Sequence, residues 1–277
     1  MKRLVLSRFQ AGVCIVVSAY LLSGCKNGDD NDASTASRPP APESLNCRVQ
    51  QSYPHDTSSF TEGLLVYKGA LYESTGDPDY VGKSKLLKMD FATGRVEKQL
   101  NLDKKYFGEG LAILRDTIYQ LTWKERTAFV YTLDFKKIKE VPFSTDNGEG
   151  WGLTTDGTYL IADDGSSNLY YYEPGTFKLI KKISVTDAGA VGYNLNELEY
   201  IDGYIYANQW QLPYILKINP ADGVVVAKVD LTDVWNRIRQ KDPEAEVLNG
   251  IAYDAATKKI YVTGKNWPEL YEVQFDK

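Results

Sequence analysis

From Phe60 onward, short apolar runs alternate with polar turn residues, and the runs are too brief for helices. Leu64-Leu65-Val66-Tyr67 stops at Lys68-Gly69 and resumes as Ala70-Leu71-Tyr72-Glu73. The same strand, tight turn and second strand return four times. Phe107-Gly108-Glu109-Gly110-Leu111 leads to a turn at Arg115-Asp116, and Gly150-Trp151-Gly152-Leu153 to one at Asp156-Gly157. Leu195-Asn196-Glu197-Leu198 leads to Asp202-Gly203, and Leu248-Asn249-Gly250-Ile251 to Lys258-Lys259.

Aligned two residues before the recurring Leu or Ile, the repeats start at Glu62, Glu109, Trp151, Asn196 and Asn249. A Gly follows each start except in the fourth repeat, which has Glu197. A period near the forties, built from short strands and hairpin turns, is the signature of propeller blades. Further strand-like runs complete the repeats, such as 84–90 with 95–102 and 214–219 with 224–229. The fifth repeat stops after a run at 269–275 and lacks a fourth strand. Residues 47–53 alternate as a strand does and are expected to supply it, which removes two exposed edges together. The prediction is all-β: a five-bladed β-propeller closed by an N-terminal strand. An open sandwich of hairpins is the alternative, and five matching units count against it. Residues 232–240 read as a short helix capped by Thr232 or Asp233.

Composition narrows the chemistry. The formal net charge is −5, which gives no basic footprint for nucleic acid. The one His is His55, so His-rich zinc sites are absent and a Ser-His-Asp triad would have to use it. No Gly-x-Ser-x-Gly elbow partners it, and it reads as structural. The three Cys (Cys14, Cys25 and Cys47) form no C-x-x-C. Cys47 is expected to be a buried small residue without chemistry.

The N-terminus reads as an address. Lys2, Arg3 and Arg8 precede an apolar run at 11–22 that is short for a membrane span. It ends in Leu22-Ser23-Gly24-Cys25, which resembles a bacterial lipoprotein cleavage box. That resemblance implies a signal peptide at 1–24 and lipidation of Cys25. Residues 25–44, polar and acidic and then rich in Pro, Ala and Ser, read as a disordered tether before a catalytic domain at 45–277. The expected location is a bacterial cell envelope, periplasmic or surface-exposed, with membrane contact only through the lipid anchor.

In a propeller the first strand of each blade lines the central channel, so Glu62, Glu109, Trp151, Asn196 and Asn249 ring its mouth. Second strands end at Trp123, Trp210 and Lys265, which adds two indoles and an ammonium to the same end. Aromatic walls exclude water, and a carboxylate held against them has its pKa raised toward working pH.

Taken in order, Tyr53-Pro54-His55-Asp56, Phe60-Thr61-Glu62-Gly63-Leu64, Phe107-Gly108-Glu109-Gly110, Leu121-Thr122-Trp123, Glu149-Gly150-Trp151-Gly152-Leu153, Leu195-Asn196-Glu197-Leu198-Glu199, Leu248-Asn249-Gly250-Ile251 and Val262-Thr263-Gly264-Lys265 resemble the motif set of the plant and bacterial glutaminyl cyclases, or glutamine cyclotransferases. The resemblance spans about 47–275. It implies a five-bladed propeller that converts N-terminal glutaminyl residues of peptides to pyroglutamate with release of ammonia, an aminoacyltransferase chemistry. It implies no cofactor and no catalytic metal, peptides or proteins with N-terminal Gln as partners, and a monomer. Glu109 matches the family's essential carboxylate. Phe60, Phe107, Trp123, Trp151 and Trp210 match its aromatic lining, and Asn196 and Lys265 its substrate contacts. Glu62 stands where the plant pattern has Gln, so its role stays open among proton carrier, ammonium anchor and hydrogen-bonding substitute; Asn249 joins the expected substrate-binding set. Trp151 or another donor, with Lys265, is expected to stabilise the oxyanion. Two readings compete. A calcium-dependent propeller lactonase would use Glu62, Asn196 and Asn249 as oxygen ligands, and a non-enzymatic propeller would bind peptides or glycans.

Overall fold

A computed structural model describes residues 39–277. The expected signal peptide, the expected lipidation site Cys25 and most of the expected tether lie outside the described residues. The fold is all-β with one helix. The first strand, β1 (Glu43–Pro54), begins where the tether was expected still to run. Sheet one is the meander β2 (Thr61–Tyr67), β3 (Ala70–Thr75), β4 (Lys85–Met89) and β5 (Val96–Asn101). Sheet two is β6 (Gly108–Leu114), β7 (Thr117–Thr122), β8 (Thr127–Thr132) and β9 (Lys137–Pro142). Sheet three is β10 (Leu153–Thr155), β11 (Leu160–Asp163), β12 (Asn168–Tyr172) and β13 (Leu179–Ser184). A small hairpin follows, β14 (Thr186–Asp187) with β15 (Ala190–Val191).

The remaining strands form one eight-stranded sheet. Its two meanders are β16 (Leu195–Ile201), β17 (Tyr204–Gln209), β18 (Tyr214–Ile218) and β19 (Val225–Asp230), then β20 (Leu248–Asp254), β21 (Lys259–Gly264) and β22 (Glu269–Asp276). Between them runs β1, antiparallel to β22 (Cys47 opposite Phe275) and parallel to β19 (Glu43 opposite Ala227). The N-terminal segment therefore supplies the strand missing from the fifth repeat, as expected. It also welds the fourth repeat to the fifth, a parallel pairing that alternation alone does not encode.

The first strands contact one another in a cycle: β2 touches β6 and β20, β6 touches β10, β10 touches β16, and β16 touches β20. Each pair of neighbouring sheets shares one apolar cluster. Sheets one and two meet at Leu65, Leu86, Leu111 and Ile118, and sheet one meets β20–β22 at Leu64, Leu87, Ala252 and Leu270. First strands are mostly buried, Gly108–Leu114 along its whole length, whereas the outer strands β9 and β13 are largely exposed. Lysines on those outer edges discourage pairing with other chains.

The recurring Gly has a steric reason. A Cβ on Gly152 would lie 2.2 Å from the Asn196 carbonyl oxygen, and one on Gly110 2.4 Å from the Leu153 nitrogen. The first strands approach too closely for a side chain there. Glu197 is the exception because its carboxylate accepts the Leu64 N–H at 3.1 Å and the Ile251 N–H at 2.8 Å, tying β2 and β20 to β16.

The helix α1 (Thr232–Lys241) forms where expected, with Val234 and Ile238 buried against the cluster between the last two meanders. Its cap differs from expectation. Leu231 occupies the N-cap without a side-chain bond, and Asp230 Oδ1 accepts the Thr232 N–H at 2.8 Å. The side chain that satisfies this amide comes from the strand end, so Thr232 and Asp233 are left free of that task.

Candidate active site

Paired backbone hydrogen bonds bring the start of each first strand to the end of a second strand. Trp123 N donates to Phe107 O at 3.1 Å, Gly150 N to Trp123 O at 2.8 Å, and Lys265 N to Val247 O at 3.0 Å. The expected site residues thus converge on one end. A cavity of about 480 Å³ opens there, lined by Phe60, Glu62, Phe107, Glu109, Trp123, Trp151, Asn196, Trp210 and Lys265. Asn249 does not line it. It sits behind Glu62, fully buried, where Nδ2 donates to Glu62 Oε2 at 3.1 Å and to Thr61 O at 2.9 Å. Its start-of-strand register is right, but Glu62 intervenes between it and the open space.

The walls are aromatic. Phe60 meets Phe107 edge-on at 6.1 Å, Phe107 tilts against Trp123 at 5.4 Å, and Trp151 meets Trp210 edge-on at 5.5 Å. Gly76 makes room for this arc, since a Cβ there would lie 2.2 Å from the Phe107 ring.

Two carboxylates sit in this apolar surround. Glu109 is 5% exposed, and its carboxylate accepts no hydrogen bond among the described residues. Burial holds its pKa well above the ordinary carboxylate range, the charge of Glu62 adds to the shift, and Lys265 opposes it. Glu62 is buried too, but partnered: Lys265 Nζ donates to Oε1 at 2.6 Å. Burial pushes Glu62 up to about 7 against the lowering pull of Lys265. Lys265 Nζ also lies 4.4 Å from the centre of the Phe60 ring. The pair divides the labour: Glu62, with an ammonium and an amide on its oxygens, is the better seat for negative charge, and Glu109 the better seat for a proton.

Trp151 Nε1, one of the expected oxyanion donors, donates here to Glu149 Oε2 at 3.0 Å. Lys265 gives one hydrogen to Glu62 and has others left. Asn196 is 1% exposed, and its Oδ1 has no partner among the described residues. Pro78, Gln211, Glu246 and Val247 also line the cavity and were missed from sequence. Gln211 directly follows a chosen Trp. Glu246 and Val247 come from the segment after α1, outside the repeat, where no pattern marks them.

His55 lies apart from the cavity. Nδ1 donates to Trp267 O at 2.7 Å, and Nε2 lies 3.2 Å from Glu73 Oε1. Burial disfavours its charge, but Glu73 more than compensates and its pKa is raised. This is a structural cross-brace, as the sequence suggested. Cys47, expected to be buried, is a half-buried free thiol whose pKa burial pushes up to about 12, so it keeps its proton at neutral pH. Among the described residues no cluster of His, Cys, Asp or Glu could hold a metal ion.

The family model described as glutamine cyclotransferase matches residues 16–275. The chain belongs to the glutamine cyclotransferase family. It is 41% identical, over 230 residues, to a glutaminyl-peptide cyclotransferase of Arabidopsis thaliana, a match covering 82% of this chain and 70% of that protein. The crystal structure of Myxococcus xanthus glutaminyl cyclase is 34% identical and aligns with a TM-score of 0.78, covering 85% of this chain and 98% of that one. Of the motif residues, Phe60, Glu62, Phe107, Glu109, Trp123, Trp151, Asn196 and Lys265 line one aromatic cavity, whereas His55 and Asn249 do not.

Proposed function

We propose that this chain is a glutaminyl-peptide cyclotransferase that closes N-terminal glutaminyl residues to pyroglutamate and releases ammonia. The observation that carries the reading is Glu109: a buried carboxyl with a raised pKa and no hydrogen-bond partner among the described residues, facing an aromatic cavity. An α-amine titrates near ~8, so a proton passes from the bound ammonium to a raised carboxylate at little cost. The free amine attacks the γ-carbonyl carbon, and the C–N bond of the five-membered ring forms. Glu109 then protonates the departing amide nitrogen and recovers a proton from the ring nitrogen, and the old C–N bond breaks to release NH₃. The walls hold the side chain folded, and that orientation lowers the barrier by several kcal/mol. Lys265 supports the oxyanion with its unspent hydrogens, and the unpartnered Asn196 Oδ1 is suited to accept an N–H of the substrate.

The same reading takes the cycle of first strands as a five-bladed propeller with β1 as its closing strand. It takes Cys25 as the lipidated residue of an envelope-anchored, monomeric lipoprotein. Ammonia release from a Gln-initiated dipeptide tests the activity directly. Glu109→Gln is isosteric and is expected to keep the fold while kcat falls about 10²–10⁴-fold; undiminished turnover in the folded variant would exclude the proton shuttle. Cys25→Ser is expected to abolish lipid labelling in a bacterial host, and labelling that persists would exclude the anchor.

A further inference from the structure

The aromatic arc is made of two halves. Phe60, Phe107 and Trp123 touch in series, and so do Trp151 and Trp210, but no ring contact joins Trp123 to Trp151 among the described residues. Glu149 bridges that gap. Its Oε2 accepts Trp123 Nε1 at 2.9 Å and Trp151 Nε1 at 3.0 Å. An indole N–H can only donate, so the place of its acceptor fixes how the ring is turned. The backbone of Glu149 is itself held: its N–H donates to Asn147 Oδ1 at 2.9 Å, and its carbonyl accepts Thr145 Oγ1 at 2.7 Å. Asn147 Nδ2 in turn donates to Asp164 O at 2.7 Å. Lys124 Nζ lies 3.5 Å from the Trp123 ring centre and 3.9 Å from Glu149 Oε1, pressing the same ring from its face. Glu149 does not line the cavity itself.

We propose that Glu149 is a positioning residue: one carboxylate oxygen clamps the two indoles and so sets the width of the slot that receives the glutaminyl side chain. Residues on two different sheets then act as a single wall. This rests on the cyclotransferase reading above, and the test separates the two. In the full chain, Glu149→Ala frees both indole edges. KM for a Gln-initiated dipeptide is expected to rise at least fivefold, with a smaller fall in kcat, because the walls touch substrate alike in its ground and transition states. Glu149→Gln keeps an oxygen able to accept both N–H groups and is expected to hold KM within fivefold of the native value. If Glu149→Ala fails to fold, Glu149→Asp takes its place, since it is one methylene too short to reach both rings. Tryptophan emission is expected to shift red and become more open to acrylamide in the Ala or Asp variant, and to stay native in the Gln variant. A KM change below fivefold in the folded Ala or Asp variant, an unaltered emission spectrum, or a Gln variant that matches it would overturn the clamp. A native protein that releases no ammonia defeats the cyclotransferase reading instead, while the emission comparison still decides the clamp.

Discussion

Lys265 carries two burdens at the cavity floor. It neutralises Glu62 at 2.6 Å, and it also lines the cavity. Removing one partner of a buried ion pair leaves an uncompensated charge, at a cost of about 3–5 kcal/mol. Lys265→Met is therefore expected to lower Tm clearly at pH 8, where Glu62 must ionise, and much less at pH 5, where it can keep its proton. Equal losses at both pH values would show that the ammonium acts by packing alone. At this scale much of the site was legible, because Phe60, Glu109, Trp123 and Trp210 sit at fixed offsets from strand ends, and offsets are what a repeat preserves. What could not be read was which polar atoms were already engaged. Trp151 looked like a free donor and is committed to Glu149, and Asn249 looked like a substrate contact and is committed to Glu62. Those commitments depend on side-chain directions that strand register does not determine.

The hairpins were readable because their turns demand particular backbone conformations. Lys68-Gly69 and Asp202-Gly203 have positive φ at both positions (50° and 76°; 45° and 89°), the geometry that matches strand twist. Arg115-Asp116 adopts it without a glycine, at 51° and 60°. Asp116 is compensated by the Tyr67 hydroxyl at 2.7 Å and by Lys68 Nζ at 2.6 Å, whereas among the described residues the Arg115 side chain makes one long bond, to the Gly157 carbonyl at 3.4 Å. Arg115→Asn is expected to stabilise the fold by about 0.5–1 kcal/mol, read as a higher denaturant midpoint with unchanged slope. A lower midpoint would mean that the arginine contact outweighs the backbone preference. The insert between the last two meanders is the counter-example. Its helix was legible from apolar spacing, but nothing local announced that Glu246 and Val247 would reach the cavity rim, since that depends on how α1 settles on its apolar cluster.

Across the whole molecule, buried acids dominate the response to pH. Glu62 is raised to about 7 and Glu199 to about 8, burial being the first cause in each, and Asp163, Glu109 and Glu197 are raised well above the ordinary range. In the unfolded chain such groups lose their protons above about pH 4–4.5. Their stabilisation is therefore complete below that range and is lost as pH climbs through 7 and 8. His55, also raised, adds in the same direction above about 6.5. Tm is expected to decline steadily from pH 5 to pH 9, and a flat or rising profile would show that these acids are not buried in solution. The weld made by β1 has a consequence for synthesis. Residues 43–54 are translated before β2 to β18, yet their partners are β19 and β22. While β2 to β18 are made this segment must wait unpaired, and its polar stretch, with Arg48, Gln50 and Gln51, suits a nascent strand that must ignore earlier edges. Closure of the eight-stranded sheet therefore waits until β22 has emerged, well after β1 has been made.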